Sequence, residues 1–219
     1  MDHMDWEGLL ALLLRVAAVL ICIIIHEVSH GFVAYRLGDP TAKTMNRLSL
    51  NPLRHIDPFG ALMMFLVGFG WAKPVPVNAG YFKKPKVGMA LTALAGPVSN
   101  FLLSYILWVI AYFLLGISNA SSSDAIWHLI DFLAMTSSLS IGLGVFNLIP
   151  FPPLDGSKVL GAFLPDRIYF KIMKYEFAGT FILMALLWLG VLDRPLYAVR
   201  SWITDVLLSL AQWPYFLLT

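Results

Sequence analysis

Five consecutive residues concentrate the chemistry in this sequence: His26-Glu27-Val28-Ser29-His30 matches H-E-x-x-H. On a helix of about 3.6 residues per turn, two imidazoles four residues apart share one face, which is zinc-ligand spacing. Glu27 lies about 100° round from His26, close enough to reach a water beside the metal without being a ligand itself. In zinc peptidases that position is the general base. Two imidazoles still leave a zinc ion short of a third protein ligand.

The second informative stretch ends the third apolar segment: Asn147-Leu148-Ile149-Pro150-Phe151-Pro152-Pro153-Leu154-Asp155-Gly156. Alone, Asp-Gly after prolines is ordinary turn chemistry. A carboxylate at the end of a spanning helix is costly to bury unless it is paired or bound to a cation, so Asp155 is the candidate third ligand. His55 and Asp57 in the basic loop, His128 near the far end of its helix and His3 at the terminus are the competitors. Each of them reads as a surface or interface residue.

The elements that must hold these groups are apolar. The chain of 219 residues is 59% hydrophobic and 13% charged, with a mean hydropathy of +0.77. Soluble domains have about 45–50% apolar and about 25% charged residues, so an all-α polytopic integral membrane protein is expected, with its site inside the bilayer. Apolar segments run over residues 9–37, 87–116, 125–149, 177–192 and 196–218; whether the last spans or lies along the interface is open. The whole chain reads as one domain, with a core at about 9–164 and C-terminal membrane helices at about 168–218.

Eight of the fifteen Lys and Arg residues fall between positions 36 and 86. The positive-inside rule puts that loop in the cytoplasm and the N-terminus outside, with the site opening to the cytoplasm. Within the loop, residues 59–70 are apolar but too short to span, and 71–78 is interrupted by prolines. A short re-entrant or β-hairpin element beside the site fits both facts, and a surface loop with a buried plug is the alternative. Arg15 reads as an interface anchor. Cys22, four residues before His26, shares its face and reads as a buried small apolar residue. Asn100, in Gly96-Pro97-Val98-Ser99-Asn100, reads as polar glue between close-packed helices. The acidic start does not look like a signal peptide, and nothing points to nucleic acid.

Together, His26 to His30 in an apolar helix, Gly96 to Asn100 in the next, and N-x-x-P-x-P-x-L-D-G from Asn147 to Gly156 resemble the three core motifs of the site-2 protease family of intramembrane zinc metalloproteases. The resemblance implies a three-helix zinc protease core in which His26, His30 and Asp155 hold one Zn2+ and Glu27 is the catalytic base. It also implies that Asn147 lies near the scissile carbonyl, where it helps to hold the developing oxyanion. The expected activity is hydrolysis of a peptide bond within or near a transmembrane segment of a membrane protein. No inserted PDZ-like or regulatory domain is evident, so a minimal member is expected, regulated by a membrane partner if at all. Its compact form is compatible with a prokaryotic inner membrane.

Two other classes compete. A non-catalytic zinc-binding chaperone or scaffold of the same fold would have little reason to keep Glu27 beside intact ligands. A metal transporter would carry several intramembrane carboxylates or histidines along a path, whereas this chain offers one cluster.

Overall fold

The protein is described from a computed structural model covering residues 6–57, 59–60, 73–118 and 123–218. Three long helices form the body: α1 (Trp6–Arg36), α3 (Pro85–Ile117) and α4 (Asp124–Asn147). At 1.5 Å per residue they are about 46, 50 and 36 Å long, each more than the roughly 30 Å hydrocarbon thickness. All three are apolar enough to cross a membrane. A short turn of helix, α2 (Thr41–Thr44), follows α1. Among the described residues there is no β-strand. Of the stretch 59–78, where a re-entrant or hairpin element was expected, residues 61–72 lie outside the described residues, and 73–78 carries no strand.

Packing explains which faces meet. The buried side of α1 carries Ala18, Cys22, His26, His30 and Ala34, a stripe with a period of four. The facing stripes are small as well: Ala93, Gly96, Asn100, Ser104 and Ala111 on α3, and Ser137, Ser140 and Gly144 on α4. Lipid tails are as apolar as Leu, so association here depends on close approach and on interhelical hydrogen bonds. The large side chains Leu10, Leu12, Leu13, Leu102 and Ile106 point outward instead. Between α3 and α4 the hydroxyls of Ser104 and Ser137 meet at 2.5 Å, and Ser140 Oγ donates to the Asn100 carbonyl at 2.8 Å. Such bonds contribute about 0.6–1.7 kcal/mol each inside a membrane bundle.

Helix α1 ends at Gly38, whose φ of +109° suits a residue without a side chain. Beyond α4, residues 148–154 turn back and α5 (Asp155–Gly161) starts at the site. The turn is tight: a Cβ on Gly156 would lie 2.2 Å from the Leu148 carbonyl oxygen. Helices α6 (Asp166–Lys174), α7 (Glu176–Trp188), α8 (Asp193–Ala211) and α9 (Trp213–Leu218) complete the chain. The apolar run 177–192 yields a helix of only 13 residues, about 20 Å and too short to cross alone. It meets the 193–218 pair at 86°, so the C-terminal segments form one broken element in place of two straight spans.

Candidate metal centre

His26 and His30 stack along the buried stripe of α1 with ring centroids 4.5 Å apart and planes nearly perpendicular. Their Nε2 atoms each lie 3.1 Å from Asp155 Oδ2, the first residue of α5. All three side chains are buried. Among the described residues this is the one cluster of metal-binding groups, with its three donor atoms within 4.8 Å of one another.

The rings are held from behind. His26 Nδ1 lies 2.5 Å from Asn100 Oδ1, and His30 Nδ1 lies 2.7 Å from the Thr92 carbonyl. Both partners only accept, so both Nδ1 atoms carry the proton and both Nε2 lone pairs face Asp155. Asn100 is itself oriented by its amide, which donates to Ser140 Oγ at 3.0 Å and to the Cys22 carbonyl at 3.3 Å. Helix α3 comes close because Gly96 has no side chain: a Cβ there would stand 2.5 Å from Cε1 of both histidines. Two outward-facing imidazole lone pairs and a carboxylate oxygen, converging in a buried site with fixed tautomers, fit a zinc ion.

Glu27, half-buried and one residue round the helix, points elsewhere. Its Oε2 accepts from the Val75 backbone N–H at 2.9 Å. Val75 belongs to an extended strap, residues 73–78, fastened at both ends. Arg47 donates to the carbonyls of Lys73 and Pro74. Lys73 N–H donates to the His55 carbonyl at 2.8 Å, and Asn78 N–H donates to Asp39 Oδ2 at 2.7 Å. Asp39 lies beyond the span. Burial pushes its carboxyl up, but the Thr41 hydroxyl and the Asn78 and Thr41 N–H groups outweigh that and hold it below the usual carboxylate range.

The sequence-derived candidates fall into two groups. His26, His30 and Asp155 converge, with Glu27 beside them. Asn147 ends α4 with its amide donating to its own helix at Leu143 O, 3.0 Å. Asp57 accepts from Gly60 N–H in a local turn, and His128 is exposed on α4. His55, expected at the surface, is instead 2% exposed, its Nε2 lying 2.6 Å from the Ser49 carbonyl. His3 lies outside the described residues. Cys22 is buried, with Sγ 3.5 Å from Thr136 O. The sequence marks Asn100 only as helix glue; the signal for its role is its place on the small-residue face that must meet the histidines.

Comparison with known proteins identifies the family. A family model described as "Peptidase family M50" matches residues 14–123 and 114–190. A Bacillus subtilis (strain 168) protein, "Putative zinc metalloprotease YwhC", is 36% identical over 190 residues, covering 85% of each chain. A Mycolicibacterium smegmatis protein, "Putative zinc metalloprotease Rip2", is 29% identical over 201 residues, covering 88% of this chain and 73% of its own. No solved structure matches. With three long apolar helices enclosing the H-E-x-x-H face, this chain belongs to peptidase family M50, the site-2 protease family of membrane zinc metalloproteases.

Proposed function

We propose that the protein hydrolyses a peptide bond within or beside a transmembrane segment of another membrane protein. The observation that carries this reading is the convergence of His26, His30 and Asp155 between apolar helices, with Glu27 one residue round the same helix. In the proposed assignment His26, His30 and Asp155 hold the zinc. When bound there, the ion would polarise the substrate carbonyl and acidify a water.

Glu27 then takes a proton from water and delivers it to the leaving amine. To do so its carboxylate exchanges the Val75 N–H for water. Asn100 and the Thr92 carbonyl keep the histidine lone pairs aimed inward through the cycle. Asn147 is assigned to the developing oxyanion, which requires its amide to leave the Leu143 carbonyl. A peptide bond in a regular helix is shielded by its own hydrogen bonds, so the substrate segment must unwind before attack.

The basic loop supports an orientation with the N-terminus outside and the site open to the cytoplasm of a prokaryotic cell membrane. The chain is proposed to act as a single domain.

The test compares the native chain with Glu27→Gln and Asp155→Ala in detergent. Zinc content is measured alongside cleavage of a single-span peptide with a helix-weakening centre. Cleavage with about one zinc per native chain, zinc without cleavage in Glu27→Gln, and weakened zinc in Asp155→Ala are the expected results. Continued cleavage by Glu27→Gln overturns the general-base role, and a zinc-loaded native chain that never cuts favours a scaffold.

A further inference from the structure

Helix α8 sets an arginine against the middle of α4. Arg200 donates to Ser138 Oγ at 2.5 Å. Ser138 lies nine residues before the end of α4 at Asn147 and fourteen after its start, about 13 Å and 21 Å along the axis. Along the α4 axis the guanidinium therefore sits nearer the middle of that helix than either of its ends. It has five N–H donors, and among the described residues no carboxylate forms an ion pair with it. Ionisable groups in a membrane bundle face a cavity or a partner and mark functional paths.

Two grooves meet at this side chain. One, about 340 Å³, lies between α1 and α4 and is lined by Val19, Ile23, Ser138, Leu139, Gly142 and Arg200 among others. The other, about 600 Å³, continues between α4 and α8 past Gly142 and Arg200 to the charged residues Asp193 and Arg194. The floor is open at Gly142, where an added Cβ would meet nothing within 4 Å. Ile23 is one helical turn before Glu27, so the first groove leads along the wall of α1 to the catalytic base.

We propose that this groove receives the substrate's transmembrane segment and that Arg200 is a specificity-determining residue. It would read a hydrogen-bond acceptor about 6–13 Å along the segment from the scissile bond, one to two and a half helical turns away. The acceptor is an oxygen: the side chain of Asp, Glu, Asn or Gln, or a backbone carbonyl freed by unwinding. The mostly apolar walls of the groove between α1 and α4 accommodate the segment, and Arg200, the one charged residue lining that groove, makes a polar demand that an all-apolar segment leaves unmet. The inference rests on the proteolytic reading above.

The experiment uses the full chain in liposomes with Glu27→Gln to prevent turnover and a photoreactive phenylalanine in place of Leu139. The probes are single-span Leu-Ala peptides with a central Gly-Pro break and Glu, Gln or Leu one or two turns to either side of it. Crosslinking of the best Glu peptide is expected to exceed that of its Leu counterpart by about fivefold or more, with Gln between them. Arg200→Leu should bring the ratio to one, whereas Ser138→Ala, which removes the clip but keeps the guanidinium, should preserve it. Equal crosslinking of Glu and Leu peptides, or a preference that survives Arg200→Leu, overturns the proposal. Cleavage of the same peptides by chains with Glu27 intact separates the two readings. Preference without cleavage by any chain removes proteolysis and leaves the groove, and cleavage without an Arg200-dependent preference removes the groove alone.

Discussion

Asn100 Oδ1 stands 2.5 Å from His26 Nδ1, joining the middle of α3 to the H-E-x-x-H face of α1. The bond fixes the tautomer that leaves Nε2 free for a metal. Replacing Asn100 with Ala should lower zinc affinity about 10–100-fold, as is typical for loss of such a partner. Chelator competition on the purified protein measures this.

Gly96 and Gly156 are held to glycine by different neighbours. At Gly96 a methyl group would press on both histidine rings, which are pinned from behind and unable to withdraw. Gly96→Ala should therefore reduce zinc content more than it lowers the melting temperature. Gly156→Ala meets backbone carbonyls at 2.2 and 2.5 Å. Overpacking of this kind costs about 1–3 kcal/mol, so a clear fall in Tm is expected with or without zinc.

Arg47 is the clamp of the strap. Its guanidinium donates to two successive carbonyls, Lys73 and Pro74, and its own Nε is buried. With Arg47→Ala that end of the strap keeps only the bond from Lys73 N–H to the His55 carbonyl, and exchange of the Val75 amide hydrogen should quicken about tenfold or more. Unchanged exchange would mean that the remaining contacts suffice to hold it.

Asp39 makes the other end pH-dependent. Its carboxyl titrates below the ordinary value of 3.8 when folded. The stabilisation is therefore fully present above that value and is lost as pH falls through the lower, folded one. Protection of the Asn78 amide, taken as a ratio between the native chain and Asp39→Asn, should be constant near neutrality. It should begin to shrink only below about pH 4. A ratio that shrinks already near pH 6 would assign the strap's acid response to another group.

Local spacing made much of this protein legible in its amino-acid order. Imidazoles at positions 26 and 30 must share a helix face wherever that helix lies, because the helical repeat is set by the backbone. The long apolar runs likewise announce α1, α3 and α4 to within a few residues, since a bilayer leaves a spanning segment little alternative to a helix. Asp155 was reachable as one candidate among several carboxylates and imidazoles, but spacing alone did not choose it.

Tertiary structure decided what depends on the rotation and register of one helix against another. Asn100 meets His26 across 74 positions, and small residues on three helices set how closely they approach. The strap reaches Glu27 across 48 positions through a backbone N–H, a group that every residue but proline carries and that no side-chain pattern announces. His55 reads as a surface histidine because it lies in the basic loop, yet the fold of that loop buries it. The 86° break before α8 and the position of Arg200 beside Ser138 follow from where the last segments dock. Hydropathy registers how apolar those segments are, whereas their direction is settled only by the surfaces that receive them.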